Sequence, residues 1–237
     1  MRESFFRSRW KTLLIFLAVV GPGIITSNVD NDAGGITTYT LAGAKYGYGL
    51  LWSLIPIMVV LVIIQEMSAR MGVVTGKGLS DLIRERFGVR ITFYLLLAIL
   101  LTNFGNVIAE FAGVASSLGI INVPKYVSVP LAAFFVWILV VKGSYRSVEK
   151  VFLYACLFYV AYIISGFLAK PDWGSVTNEL IKPRLQFSAG SLGMLMGLVG
   201  TTIAPWMQFY LQASVVEKNI KVKDYKHSRA DVILGSF

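Results

Sequence analysis

Polar residues that could bind a cation interrupt an apolar stretch near the N-terminus. Between positions 28 and 35 lie two aspartates, two asparagines and two adjacent glycines. An ionised carboxylate in hydrocarbon is costly, so Asp30 and Asp32 should face protein or water. These residue types are also poor helix formers, which favours an unwound segment lining a cavity. These residues could bind a cation through their oxygen atoms. Their chemistry alone does not show which of Asp30 and Asp32 would be the ligand.

A second interruption lies near Pro205. Proline cannot donate to the helix ladder and clashes with the preceding turn, so carbonyls near Thr201 and Thr202 should be released. Released carbonyls and a carboxylate from another broken helix form an oxygen-lined cation site in secondary transporters. The simpler alternative for Pro205 is a kink without function.

Long apolar segments must hold these residues in place. The chain of 237 residues is 56% hydrophobic and 15% charged. Its apolar runs are continuous and lack a period of two, which favours helices over a barrel. We expect one all-α membrane domain over 1–237, with spans at 12–45 (interrupted), 48–70, 91–119, 124–142, 147–169 and 188–217 (interrupted), and another starting near Asp231.

The charge pattern predicts an orientation. Most of the 22 Lys and Arg residues fall in segments on the same side as the N-terminus. Under the positive-inside rule that side is cytoplasmic. We therefore expect a multi-pass protein of a prokaryotic cell membrane, with residues 1–11 as a cytoplasmic segment. The net charge of +9 needs no nucleic acid to explain it.

Three motifs together resemble the Nramp family of divalent-metal transporters, although each alone is weak. They are the segment Leu41–Gly43 with Tyr46–Trp52, the segment Gln65 with Arg70–Leu79, and Ala109–Gly113. The entry into the last apolar run, Arg229–Asp231, extends the match. The resemblance implies a leucine-transporter-type fold of two inverted five-helix repeats, whose first and sixth helices break around the metal. The chain would then be truncated after its first repeat, its sixth helix and the start of the seventh, and transport should require the missing repeat.

The resemblance also implies a metal site, with departures from the family pattern. The family motif Asp-Pro-Gly-Asn falls on Asp32 to Gly35, which keeps the aspartate and replaces the asparagine by Gly35. The family motif Met-Pro-His falls on Ala204 to Trp206, and a carbonyl ligand falls on Thr201. The implied metal positions are therefore Asp32, Gly35, Thr201 and Ala204.

Losing a methionine and an asparagine should change the preferred ion. Thioether sulfur selects softer metals, whereas carboxylates, carbonyls and water suit Mg²⁺, Ca²⁺ and Mn²⁺. Mg²⁺ usually keeps several waters, and the chain is similar to the Nramp-related magnesium-transporter branch. We expect transport of partly hydrated Mg²⁺, with Mn²⁺ as the alternative, as a substrate and not a cofactor. Its waters should contact Asp30, Thr37, Thr38, Thr202 and Gln208.

Proton coupling is less defined by the sequence. The family uses acids and a histidine of its sixth helix, and Trp206 takes the place of that histidine. Glu110 remains as a candidate for a proton pathway within the membrane. A uniporter is the alternative to a symporter, since moving two charges is worth roughly 4–5 kcal/mol per 100 mV.

Two further classes stay open at this point. A transporter of the same fold could carry an organic substrate such as an amino acid, but Asp32 would repel its carboxylate. A non-transporting remnant is the other. An enzyme is not expected, because the sequence has no nucleophile–histidine pair, phosphate loop or His/Cys cluster.

Overall fold

The computed structural model describes residues 32–182 and 188–236, and regular structure within these ranges is helical. Three short 3₁₀ helices, Leu51–Ser53, Leu157–Tyr159 and Val222–Asp224, lie between the α-helices. The α-helices are α1 (Ala33–Tyr46), α2 (Leu54–Thr75), α3 (Leu79–Gly119), α4 (Lys125–Lys142), α5 (Tyr145–Cys156), α6 (Val160–Leu168), α7 (Trp173–Ile181), α8 (Ala189–Thr202), α9 (Pro205–Glu217) and α10 (Tyr225–Ser236).

Five helical segments are long and apolar enough to cross a membrane: Leu51–Thr75, Leu79–Gly119, Lys125–Lys142, Lys150–Leu168 and Ala189–Glu217. Large apolar side chains stand on their outer surfaces, and Phe104 and Val140 are each 66% exposed. A helix that is apolar on all sides suits a lipid environment. These segments agree with the spans predicted from 48 onward to within about five residues, except that the helix of the predicted span 91–119 begins at Leu79.

The predicted span 91–119 begins inside helix α3, and a glycine marks the boundary. α3 begins at Leu79, but Gly88 adopts φ 81° and ψ 171° and divides it. Such a positive φ is readily adopted by glycine alone. The polar turn before Gly88 is therefore separate from the apolar helix after it, which fits the predicted start at 91.

Two expectations from the sequence need correction. The last apolar run becomes helical at Tyr225, six residues before the expected start near Asp231. The segment after the span Lys150–Leu168 was not predicted to be helical, yet it forms α7. Asp172 explains this helix, because its carboxylate accepts hydrogen bonds from Gly174 N and Ser175 Oγ at 3.1 and 2.6 Å and caps the N-terminus.

The chain divides into two units, each described by itself. The first unit comprises 32–56, 97–182 and 188–202, and the second comprises 57–96 and 203–236. The core of the second unit joins α2, α9 and α10 through buried apolar side chains that include Ala69, Leu211 and Val232. The first unit contains α1, most of α3 and α8, which together form the candidate site.

Candidate functional site

Asp32 caps the N-terminus of α1. Its backbone is extended, with φ −78° and ψ 178°, and its Oδ1 accepts a hydrogen bond from Gly35 N at 2.5 Å. Aspartate is a preferred N-cap because its oxygen satisfies one of the unpaired N–H groups of the first turn. Among the described residues nothing donates to the other carboxylate oxygen, Oδ2.

Glu110 of α3 reaches the same end of α1. Ala33 N lies 3.2 Å from Oε1 and 3.4 Å from Oε2 of Glu110 and donates to this carboxylate. Gly113, one turn further along α3, makes this approach possible, since a β-carbon at Gly113 would stand 2.6 Å from Ala33 Cβ. Two carboxylates therefore accept from neighbouring N–H groups of one helical turn.

Helix α8 runs antiparallel to α1 in the first unit. The hydroxyl oxygens of Tyr39 and Thr202 lie 2.5 Å apart. Further along, a β-carbon at Gly190 would stand 3.1 Å from Tyr46 Oη. The C-terminus of α8 thus lies at the end of α1 that Asp32 caps. The last carbonyls of a helix lack helical partners and form the negative end of its dipole, which favours a cation.

The threonines near this end offer oxygen lone pairs and no free proton. Thr37 Oγ1 donates to Ala33 O and Thr38 Oγ1 donates to Gly34 O, both at 2.8 Å. Because a hydroxyl has a single proton, both oxygens can then act only as acceptors. The waters around a cation point their hydrogens outward and need such acceptors.

Thr202 has the same property. Its Oγ1 donates to Leu198 O at 2.8 Å, so its one proton is committed and Tyr39 must be the donor in the contact between the two hydroxyls. Thr201 lies beside it in the last turn of α8, where it is half-buried.

The donor set defines what kind of ligand fits. Within 32–182 and 188–236 no group of three His, Cys, Asp or Glu side chains could hold a metal ion. The first unit instead offers two carboxylates with hydroxyl and carbonyl oxygens. The positive end of the α1 dipole, equivalent to roughly half a charge, is outweighed by the two carboxylates. Such a set suits a hard cation with part of its water shell.

Other predicted site residues lie in the second unit or outside the described residues. Asp30 and the segment 1–11 lie outside the described residues. In the second unit, the side chain of Ala204 is buried in an apolar cluster with Leu61 and Met207. Gln208, with its amide nitrogen turned to the backbone, donates to Ala204 O at 2.9 Å and to Pro205 O at 2.6 Å. Its nitrogen is thereby satisfied locally.

The break predicted at Pro205 is confirmed. α8 ends at Thr202, and α9 begins with Pro205 at its first position, where a missing N–H costs nothing. Sequence reasoning missed two residues that organise the site, Tyr39 and Gly113. Spacing offered one signal: Gly113 follows Glu110 by three positions and so shares its helix face.

Membrane-spanning helices, a break in the α8–α9 segment, and carboxylates at a helix end define an integral multi-pass membrane protein with a discontinuous helix. The family model described as natural resistance-associated macrophage protein-like, Nramp, matches residues 23–237. The chain therefore belongs to the Nramp family.

Curated relatives agree with this assignment. The divalent metal cation transporter MntH of Deinococcus radiodurans is 29% identical over 223 residues, covering 92% of this chain and 50% of the relative. MntH of Bacillus subtilis is 31% identical over 209 residues, covering 86% and 48%. The chain spans about half the length of these relatives. Their names describe transporters whose cation is cargo and not a cofactor, in line with the prediction of a non-enzyme.

A solved structure confirms the predicted fold class. The manganese transporter of Eremococcus coleocola, crystallised with an aromatic bis-isothiourea compound, matches with a TM-score of 0.79. The two sequences are 24% identical, and the match covers 97% of this chain and 49% of that one. The chain thus has the all-α membrane fold of the leucine-transporter type.

Proposed function

We propose that this chain provides the cation-binding part of a secondary transporter for a divalent metal ion. The observation that supports it most is the pair of carboxylates, Asp32 and Glu110, at the first turn of α1. One oxygen of Asp32 is occupied by capping, and Oδ2 remains for the ion. Carbonyls of the last turn of α8, with Thr201 as the proposed ligand, complete an oxygen-lined site.

Mg²⁺ in a partly hydrated state is the proposed cargo. Gly35 and Ala204 have no side-chain donor at positions where the family motifs have asparagine and methionine, so fewer direct ligands are available. Mg²⁺ gives up its waters reluctantly and needs acceptors for the waters it keeps. The hydroxyl oxygens of Thr37, Thr38 and Thr202, whose protons are committed to backbone carbonyls, are suited to that role.

Mn²⁺ is the second candidate cargo. The solved relative is named a manganese transporter, and oxygen ligands suit Mn²⁺ as well as Mg²⁺. The two ions differ in how readily they exchange water for protein ligands, so the distinction depends on how many direct ligands the site supplies.

Glu110 is proposed to serve both the ion and any coupled proton. Its carboxylate lies at the same helix end as Asp32, so protonation of Glu110 would remove one negative charge from the site. The alternative is uniport driven by the membrane potential. The proposal includes the predicted topology: one domain over 1–237 in a prokaryotic cell membrane, the N-terminal segment 1–11 in the cytoplasm, and a second repeat that completes the transporter.

The test measures both binding and transport. For binding, the purified chain is titrated with Mg²⁺ and Mn²⁺ by calorimetry. For transport, this chain together with the second repeat that it is expected to require is reconstituted in liposomes, and metal uptake is measured. Asp32→Asn keeps a capping oxygen but removes the charge, and should weaken binding at least about tenfold, the loss seen even for outer-sphere partners. The matched control is Asp172→Asn, which alters a helix cap far along the chain.

Each result has a defined consequence. Unchanged Mg²⁺ binding and uptake in Asp32→Asn would contradict the proposed site. Uptake of Mn²⁺ without Mg²⁺ would contradict the proposed cargo and favour the second candidate. Internal acidification that follows the metal and disappears in Glu110→Gln would establish proton coupling, whereas uptake without acidification would establish uniport.

A further inference from the structure

The second unit contains a cavity of about 360 Å³ between α2 and α10. None of its lining residues belongs to the candidate cation site. Each helix lines it with residues four positions apart, which places them on one helix face. α2 supplies Val62, Glu66 and Arg70, and α10 supplies Tyr225, Arg229 and Ile233.

The α2 side of the cavity changes from apolar to charged along the helix. Val62 lies two turns before Arg70, and α2 ends soon afterwards at Thr75. The span Leu51–Thr75 is one of those long enough to cross a membrane. The charged end of the cavity therefore lies where the span approaches the membrane surface, and its apolar end lies deeper in the hydrocarbon.

The cavity has an excess of positive charge. Glu66 accepts a hydrogen bond from the Tyr225 hydroxyl, and its Oε2 lies 3.8 Å from Arg70 Nη2. Arg70 is still 55% exposed, and an exposed ion pair contributes little. Arg229 is exposed and has no ion pair with a carboxylate in the described part of the chain. The cavity is thus lined by two guanidinium groups and by one carboxylate, which already accepts a hydrogen bond from the tyrosine hydroxyl.

We propose that this cavity binds an anionic phospholipid, with its headgroup phosphate between Arg70 and Arg229 and an acyl chain beside Val62 and Ile233. A guanidinium group offers paired donors that match phosphate geometry. Basic pockets between membrane helices at the cytoplasmic side are suited to anionic lipid headgroups. A free phosphate would use only the charged end, whereas a lipid also covers the apolar end. The bound lipid links the end of α2 to α10.

The test measures lipid binding by the purified chain. The chain is placed in neutral phosphatidylcholine nanodiscs, and its thermal unfolding is followed as phosphatidylglycerol replaces the neutral lipid. Native mass spectrometry counts the lipids that remain bound. For the wild type we expect a higher unfolding midpoint and one retained anionic lipid.

The decisive variant is Arg229→Gln, because this side chain makes no ion pair within the described structure and its loss should leave folding intact. Each basic residue at a membrane surface contributes about 1 kcal/mol, so apparent affinity should fall about fivefold. Arg70→Gln together with Arg229→Gln should abolish the retained lipid. Arg86→Gln is the matched control, since Arg86 is exposed in the same unit and lies outside the cavity.

Several outcomes would overturn the proposal. One is equal affinity for phosphatidylglycerol in the wild type and Arg229→Gln. A second is an equal loss of affinity in Arg86→Gln, which would indicate general surface charge. A third is an equal rise in midpoint with inorganic phosphate at matched concentration, which would indicate a free-anion site. The unfolding midpoint of each variant in neutral lipid reports whether it folds.

Discussion

Gly113 lies so close to Ala33 that a β-carbon added to it would stand 2.6 Å from Ala33 Cβ. This contact sets the distance between α3 and the first turn of α1, and it allows the carboxylate of Glu110 to accept from Ala33 N. One glycine thus determines where the second carboxylate of the candidate site lies. Space, rather than backbone conformation, explains the requirement, because Gly113 lies within α3.

Gly113→Ala should therefore separate α3 from α1. Overpacking of this kind costs about 1–3 kcal/mol, and Glu110 should withdraw from Ala33 N. We expect a lower unfolding midpoint together with weaker Mg²⁺ binding by calorimetry. Gly105→Ala is the matched control on α3, where nothing lies within 4 Å of the added carbon. An equal loss of Mg²⁺ affinity in both variants would contradict the positioning role.

The cap and the charge of Asp32 can be separated by stability measurements. Asp32→Ala should lower stability by about 1 kcal/mol, the usual effect of losing an N-cap. Asp32→Asn should retain that stability, since asparagine caps as well as aspartate. Unfolding in denaturant compares the two variants. Equal stability of both would show that the hydrogen bond to Gly35 N contributes nothing.

Much of this fold follows from the sequence because hydrophobic length and helix breakers are local signals. The break at Pro205 needs only the missing N–H, and the spans need only continuous apolar residues. The contact between Gly113 and Ala33 could not be predicted in this way, because it joins positions far apart in the chain. Glu110 was predicted only as a proton carrier for the same reason: its partner, Ala33 N, lies 77 residues away.

The hydroxyl contact between Tyr39 and Thr202 should fasten α8 to α1. Tyr39→Phe removes the donor, and a hydrogen bond of this kind contributes about 0.5–1.5 kcal/mol. We expect a small loss of stability and a moderate loss of Mg²⁺ affinity, below that of Asp32→Asn. Tyr48→Phe, at an exposed tyrosine of the same unit, is the control. If Tyr39→Phe and Tyr48→Phe had the same stability and Mg²⁺ affinity, the hydroxyl contact would not contribute to the site.

Helix α7 should respond to acid through its cap. Hydrogen bonds from Ser175 Oγ and from Gly174 N lower the pKa of Asp172 below its usual value, which is about 3.9. Since the folded pKa is depressed, this stabilisation is fully present above about pH 3.9 and is lost as pH falls through the folded pKa. The protection of α7 amides against hydrogen exchange, relative to the intrinsic rate at each pH, should therefore fall only below that value. The same fall in Asp172→Asn would show that another group is responsible.

Restoring an amide at the first-turn position of α1 should change the preferred ion. Gly35→Asn places a side-chain carbonyl where the family motif has one, and it should replace a water of the bound ion by a direct ligand. Mn²⁺ exchanges water for protein ligands more readily than Mg²⁺, which dehydrates reluctantly. We expect the ratio of Mn²⁺ to Mg²⁺ affinity, measured by calorimetry, to rise about tenfold, equivalent to about 1.4 kcal/mol. Gly43→Asn, at a glycine of α1 with nothing within 4 Å, controls for the added side chain. An unchanged ratio in Gly35→Asn, with the variant folded, would mean that the missing asparagine does not determine how much water the ion keeps.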